Sequence, residues 1–355
     1  MTPIQELSQK ILKARTVEEI FGELIPADDV TLQRALRKLQ MQVHPDHNKE
    51  SNANAVFEAL TKLAELAEKA IASGAYGKNL KINTTIVRSK SNEYEIGDRS
   101  YTGETTILYR GTDQNGVQVM LKIAKTVGDN KKLKDTTSVL KKLRESLKDE
   151  KPPVVPILVD QFHMTIGGEK REVLVYEDPQ GGGAPTLTLT KIMQHYPKGV
   201  EPAHFVWMMK RILGALLHAD KAGILHGAVL PCHIVVNPDS HLERLVGWSH
   251  AVEYNKPRRE VIGKYKEYYP EDYKKASADN TADVYMLAKC MIKVLGGDII
   301  TNDLPATVPL AIQGFLKSLV VGNSRLHPHT VFTKLVKLAG DVFGPPKYVN
   351  LTIPN

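Results

Sequence analysis

Cysteine is scarce in this sequence, since Cys232 and Cys290 are the only two in 355 residues. Two cysteines exclude the disulfide framework of a small secreted domain and fit a reducing, cytoplasmic compartment. Long apolar runs are missing as well, because no stretch of roughly 18 apolar residues is present to span a bilayer. Residues 1–13 lack the apolar core of a secretory signal. We therefore expect a soluble, cytoplasmic protein that has no membrane partner.

Metal-ligand spacings and internal repeats are lacking too. Several of the 12 histidines do not lie at the separations that zinc sites use, namely His233, His241, His250, His327 and His329. We expect these side chains in structural or surface positions and predict no metal. The apolar fraction of 42% and the charged fraction of 25% are those of an ordinary globular protein.

Positive charge is in moderate excess, with a formal net charge of +7. Much of it lies in one cluster, which consists of Lys131, Lys132, Lys134, Lys141, Lys142, Arg144 and Lys148. Such a cluster binds nucleic acid or an acidic partner in some proteins, and in most it is the solvated face of a helix. We prefer the solvated face and keep a nucleic-acid-binding adaptor as an alternative function.

The first 73 residues have only helical periodicity. One apolar stripe recurs every three or four residues at Leu32, Ala35 or Leu36, Leu39 and Val43. A second stripe consists of Phe57, Leu60, Leu63 or Ala64, Ala67 and Ile71. Pro45 cannot continue a helix, so a loop begins at His44-Pro45-Asp46. Helix, loop and helix with facing stripes predict a small antiparallel hairpin.

The rest of the chain changes from polar sequence to strands and then to helices. Residues 74–92 are polar, contain two glycines and have no sustained period, which predicts a linker. Strand patterns follow at 106–110, 117–124, 154–159 and 172–176, with a hairpin turn at Asn115-Gly116. Helices are predicted at 133–147, 205–222 and 282–295. This order predicts a two-lobed α+β domain over residues 93–345, followed by a tail at 346–355.

The sequence around the predicted loop resembles a J-domain. Residues 35–48, Ala-Leu-Arg-Lys-Leu-Gln-Met-Gln-Val-His-Pro-Asp-His-Asn, are similar to the end of the second helix and the loop of that family. Residues 55–60 resemble the start of its third helix, and residues 17–24 its short first helix. Leu36 departs from the family, which often has tyrosine there, and we expect this to change packing only. The resemblance covers about residues 14–72, within a domain that we place at 1–73.

The resemblance implies a co-chaperone role. J-domains dock on DnaK-type heat-shock ATPases and accelerate ATP hydrolysis through the His-Pro-Asp loop and the basic face of the second helix. On this sequence, the loop residues are His44, Pro45 and Asp46. The docking cations are Arg34, Arg37 and Lys38, which lie off the apolar stripe. Exposed cations of this kind raise the rate of association with an acidic partner more than its affinity.

The strand-rich half of the second domain resembles the smaller lobe of a protein kinase. Residues 119–123, Val-Met-Leu-Lys-Ile, are similar to the third strand of that family, so the resemblance assigns a possible nucleotide-binding role to Lys122. Gly103 is the single glycine where the family's phosphate loop carries three. Thr136 stands where a helix should supply the glutamate that pairs with the lysine, with Asp135 adjacent.

The helix-rich half resembles the larger kinase lobe with its chemistry removed. Residues 226–234, His-Gly-Ala-Val-Leu-Pro-Cys-His-Ile, are similar to the catalytic loop. The family has an aspartate base and a metal-binding asparagine there, where this sequence has Ala228 and His233. Gly247 stands where the family has its second metal ligand, an aspartate. Alanine cannot accept a proton and glycine has no ligand for magnesium, so we predict a pseudokinase that requires no cofactor, with ATP binding unlikely.

These resemblances together suggest an α+β multidomain protein: an all-α helical-hairpin J-domain followed by a kinase-like domain with a strand-rich N-lobe and a helical C-lobe. Bacterial or phage proteins that join these two domains look similar. The function we predict is a co-chaperone that stimulates a DnaK-type ATPase, while the pseudokinase domain holds an unknown client or partner. The first alternative is an atypical serine/threonine kinase that uses its J-domain for recruitment.

Overall fold

The computed structural model describes residues 2–46, 48, 52–78, 85–147, 155–178, 186–238, 240–254, 256–274, 280–321 and 326–353. They divide into two compact units. The first unit contains Met1–Val127 and Val159–Gly183, and the second contains Gly128–Leu158 and Ala184–Asn355.

The first unit begins with helices, as the periodicity predicts. They are α1 (Pro3–Lys13), α2 (Glu18–Phe21), α3 (Asp29–Val43) and α4 (Ala53–Ala72). Asp28 begins α3 because its side chain accepts a hydrogen bond from the Thr31 amide at 2.8 Å. Both predicted stripes contribute to one core, whose buried members include Leu32, Leu36, Val43, Leu60, Leu63, Ala64 and Ala67. Burial of these two stripes holds α3 against α4.

An antiparallel six-stranded sheet completes the first unit. Its strands are β1 (Thr85–Arg88), β2 (Glu93–Thr102), β3 (Thr106–Asp113), β4 (Gln118–Ala124), β5 (Leu158–Ile166) and β6 (Glu169–Glu177). The spatial order is β1-β2-β3-β4-β6-β5. Along β4, Val119, Leu121 and Ile123 are buried in the core on one face. Lys122 therefore lies on the opposite face, because successive side chains of a strand alternate.

The linker predicted at 74–92 is wrong for part of its length. Strand β1 lies inside it and pairs with β2 from Thr85 opposite Ile96 to Arg88 opposite Glu93. Before that, the Tyr76 hydroxyl donates to the Gly22 carbonyl at 2.8 Å. Four residues of strand are too few for an alternating pattern to stand out. The strand predicted at 154–159 is also displaced, since β5 begins only at Leu158.

An ion pair joins the helical part of the first unit to its sheet. The Arg15 Nη1 atom lies 2.6 Å from the Glu95 Oε1 atom on β2. The Leu12 side chain lies close to the turn between β3 and β4, because a Cβ atom built on Gly116 would be 3.7 Å from the Leu12 Cδ1 atom. These contacts connect α1 and the segment that follows it directly to the sheet.

The second unit is mainly helical. Its helices are α5 (Asn130–Leu147), α6 (Leu189–His195), α7 (Pro202–Lys221), α8 (Thr281–Val294), α9 (Leu310–Val320) and α10 (Pro328–Phe343). Its short strands are β7 (Leu187–Thr188), β8 (Ile224–Leu225), β9 (Ile234–Asn237), β10 (Leu242–Leu245) and β11 (Val252–Glu253). Across the described residues, none of the helices combines the length and apolarity needed to cross a membrane.

Candidate functional site

The loop between α3 and α4 presents the predicted His-Pro-Asp tripeptide. The Asp46 amide donates to the His44 Nδ1 atom at 3.2 Å, and the His44 carbonyl accepts from the Asn48 amide at 2.8 Å. The His44 ring also meets the edge of Phe57, with 5.3 Å between centroids. These contacts orient the imidazole, yet 42% of the His44 side chain and 81% of the Asp46 side chain stay exposed. The described tripeptide is therefore oriented by local contacts while its two polar side chains face solvent.

The three predicted docking cations lie on the outer face of α3. Arg34, Arg37 and Lys38 are all exposed, whereas Leu32 and Leu36 on the inner face are buried. Two apolar side chains flank the cations on the same helix, because Val30 is 68% exposed and Met41 is 77% exposed. The outer face of α3 thus combines positive charge with exposed apolar surface.

The sheet of the first unit contains Lys122 on β4 and, in a neighbouring turn, Gly103. Gly103 lies in the turn between β2 and β3, where its carbonyl accepts from the Lys125 Nζ atom at 3.2 Å. The Tyr101 ring lies 3.6 Å from the position of a Cβ on this glycine. Partial burial lowers the pKa of Lys122 to about 8. This is the direction expected when an ammonium group is desolvated without a compensating carboxylate.

Helix α5 supplies no substitute for the missing glutamate. Thr136 is buried, and its hydroxyl donates to the Lys132 carbonyl of its own helix at 2.7 Å. The adjacent carboxylate of Asp135 accepts from the Arg259 guanidinium at 2.6 Å. The Thr136 hydroxyl and the Asp135 carboxylate therefore both make hydrogen bonds within the second unit.

Asp283, at the start of α8, anchors the loop that resembles the kinase catalytic loop. Its two carboxylate oxygens accept from the His226 amide at 2.8 Å and from the Gly227 amide at 2.9 Å. The aspartate is fully buried. On the other side of the loop, the Tyr273 hydroxyl donates to the Gly227 carbonyl at 2.8 Å. The backbone of this loop is thus held from two sides by buried hydrogen bonds.

The helix predicted at 282–295 includes Asp283 in its first turn, and its periodicity gives no indication of the anchoring role. A signal was present, because the acid stands in the segment Thr-Ala-Asp-Val-Tyr-Met-Leu-Ala, which is otherwise without charge. A charged residue surrounded by apolar ones in a buried helix needs a hydrogen-bonding partner. The sequence alone does not say which backbone groups supply it.

His233 occupies the space beside Gly247, so two of the predicted degenerate positions lie in contact. One ring nitrogen of His233, Nδ1, lies 2.8 Å from the Ala228 carbonyl oxygen. A Cβ atom on Gly247 would approach ring atoms of His233 to 2.5–2.7 Å. Gly247 also has a φ of 85°, which disfavours most side chains. Any side chain at this position would therefore collide with the imidazole.

The chemistry available in this loop is limited. Neither residues 226–234 nor residues 245–250 contain an aspartate or glutamate. Among the described residues, no group of three or more histidine, cysteine, aspartate or glutamate side chains is placed to hold a metal ion. These two segments instead offer the imidazole rings of three histidines, the Cys232 thiol, the Ser249 hydroxyl and backbone groups.

Comparison with known proteins identifies the fold. No protein-family model and no curated protein matches this chain. The crystal structure of the BubR1 kinase domain matches with 13% identity and a TM-score of 0.57, covering 72% of this chain and 83% of the other. The structure of vaccinia related kinase 3 matches with 18% identity and a TM-score of 0.56, covering 73% and 90%.

Identities this low establish the fold alone, and the fold is that of a protein kinase domain. The kinase-like part of the sequence prediction is confirmed at this level. The J-domain assignment of the N-terminal helices finds no counterpart in these comparisons and stays a prediction from the sequence. The predicted partners and the predicted lack of a cofactor requirement also stay predictions.

Proposed function

We propose that this protein is a co-chaperone that recruits and stimulates a DnaK-type ATPase through its α3–α4 hairpin. The observation that carries the proposal is the ordered, exposed His44-Pro45-Asp46 loop at the end of a basic helix face. The Asp46 carboxylate is 81% exposed and the His44 ring is braced by Phe57. A loop that only ended α3 would not need a braced imidazole beside an exposed carboxylate.

The kinase-like domain has a non-catalytic role in this proposal. Phosphoryl transfer depends on magnesium ions and on a positioned base. Ala228 and Gly247 provide neither, and His233 fills the space beside Gly247. The anchor at Asp283 keeps the loop folded without that chemistry. We propose that this domain holds a client or partner protein while the hairpin engages the ATPase.

Single-turnover ATP hydrolysis by a DnaK-type ATPase tests the co-chaperone function. We expect wild-type protein to accelerate ATP hydrolysis and the His44→Gln variant to leave the ATPase at its basal rate. Glutamine has no imidazole ring to accept the hydrogen bond from the Asp46 backbone amide and to pack against Phe57. Arg37→Glu should slow association by about tenfold at low ionic strength.

Lys62→Ala provides the matched control, since this α4 cation is 48% exposed and pairs only with its neighbour Glu58, among described residues, at 3.3 Å. It should stimulate like the wild type. Equal hydrolysis rates with wild-type protein and with His44→Gln would disprove the proposal. A circular dichroism spectrum of each variant checks that the hairpin is still folded.

An atypical kinase is the second candidate, and the kinase-like fold with its retained Lys122 favours it. A lysine with a pKa of about 8 is partly neutral near physiological pH and is a weaker phosphate ligand. We expect no phosphate transfer from labelled ATP with magnesium or manganese. Transfer that is lost in Lys122→Ala and kept in Lys131→Ala, an exposed lysine of α5, would establish the kinase instead.

A further inference from the structure

An extended segment at residues 345–353, which we call the C-terminal strap, lies along the second unit. Helix α10 ends at Phe343, where Gly344 adopts a φ of 72° and donates its amide to the Gly340 carbonyl. Pro345 and Pro346 then prevent further helix. The strap forms neither helix nor strand, and most of its residues are exposed. Its position therefore depends on a few side-chain contacts.

The first contact is an aromatic stack. The Tyr348 ring lies parallel to the His241 ring, with 4.3 Å between centroids and 16° between planes. His241 in turn stacks on Trp207 of α7, at 4.1 Å and 4°. The indole Nε1 of Trp207 donates to the His204 Nδ1 atom at 3.2 Å, which fixes its orientation. Even in this stack, 65% of Tyr348 stays exposed.

Two further contacts follow along the strap. The first is the burial of Leu351, of which only 2% stays exposed. The Thr352 carbonyl accepts a hydrogen bond from the Tyr196 hydroxyl, just beyond the end of α6. Receptors hold extended peptides through main-chain hydrogen bonds and through side chains that enter pockets, and the strap makes contacts of both kinds.

We propose that the face formed by Tyr196, Trp207 and His241 is a peptide-docking site, and that the strap is its intramolecular occupant. The partner it fits is an extended segment of another protein with a tyrosine or phenylalanine followed at the third position by leucine. The rigid indole and imidazole rings supply the anchor for the aromatic residue. Exchange requires only that a few local contacts open, because no strand pairing holds the strap along its described length.

The strap competes with any partner because it is tethered. A tethered ligand acts at an effective concentration in the millimolar range, so a free peptide should bind the wild-type protein weakly. Removing the two side chains that anchor the strap should expose the site. This inference does not depend on the recruitment of an ATPase by the hairpin.

The test uses full-length protein and a fluorescent synthetic peptide with the sequence of residues 344–353. We expect the double variant Tyr348→Ala, Leu351→Ala to bind the peptide at least about tenfold more tightly than the wild type. Adding His241→Ala to the double variant should abolish binding, and so should a control peptide with alanine at both anchor positions. Fluorescence anisotropy measures each affinity, and thermal unfolding confirms that the variants are folded.

Two results would overturn the proposal. A folded double variant that shows no saturable binding at about 1 mM peptide would mean that the strap is ordinary packing. A concentration-dependent dimer of the wild type that the double variant loses would assign the face to a second copy of this chain. If the double variant does not fold, the single variant Tyr348→Ala replaces it, because this side chain is 65% exposed and its removal leaves the buried Leu351 in place. Tighter binding of the peptide than by the wild type then supports the proposal, and no saturable binding at about 1 mM peptide refutes it.

Discussion

Replacing Asp283 by alanine is expected to lower the free energy of unfolding by about 3–5 kcal/mol. The substitution leaves the amides of His226 and Gly227 buried without their acceptors at 2.8 and 2.9 Å. Each unsatisfied buried donor costs about 1–3 kcal/mol, and the lost side chain leaves a cavity as well. Asp283→Asn keeps one acceptor oxygen and should cost roughly half as much. Urea unfolding followed by circular dichroism measures both values.

The control for Asp283 is another aspartate of the second unit. Asp303 is 69% exposed and its carboxylate lies 2.8 Å from the Lys317 Nζ atom. Asp303→Ala should leave the free energy of unfolding nearly unchanged, because exposed ion pairs contribute little. Equal losses from Asp283→Ala and Asp303→Ala would show that Asp283 does not anchor the loop.

Replacing Gly247 by alanine is expected to cost about 2–4 kcal/mol. The new methyl group would meet the His233 ring at 2.5–2.7 Å, and alanine at a φ of 85° is strained whatever the space. The energy of the collision depends on both His233 and residue 247, whereas the backbone strain depends on residue 247 alone. His233→Ala should therefore recover the collision part, about 1–3 kcal/mol, and leave about 1 kcal/mol of strain.

A double-mutant cycle over positions 233 and 247 separates these two parts. Unfolding is measured for the wild type, both single variants and the double variant, and the coupling energy should be about 1–3 kcal/mol. Additive losses would mean that the imidazole moves away freely. The same coupling is expected for larger side chains: an aspartate introduced at 247 would also collide with the imidazole unless His233 is replaced.

The helical hairpin was the most predictable part of the fold. Its apolar stripes repeat over several turns, and Leu32, Val43, Leu60 and Ala67 are fully buried, whereas Leu39, Phe57 and Ile71 are partly buried against the same core. Strand β1 was missed because its four residues gain their order from pairing with β2. Pairing between distant residues leaves little trace in local periodicity.

The candidate sites were predicted to different extents. The identity of the degenerate positions Ala228, His233 and Gly247 followed from aligned motifs. The contact between His233 and Gly247 could not be predicted in this way, because 13 residues, including all of β9, separate the two positions in the chain. The stack of Trp207, His241 and Tyr348 was also unforeseen, since these rings come from α7, the turn before β10 and the strap.

The amino-acid sequence by itself determined the helix stripes, the proline-ended loop at His44 and the absence of carboxylates from residues 226–234, because these depend on residue type and short spacing. Only the tertiary structure decided that Asp283 holds that loop, that the His233 imidazole lies against Gly247 and that the strap stacks on His241. Those contacts join residues up to 156 positions apart, as the bond from Tyr196 to Thr352 does. Contacts between residues so far apart in the sequence depend on how the whole chain packs, which no local sequence pattern indicates.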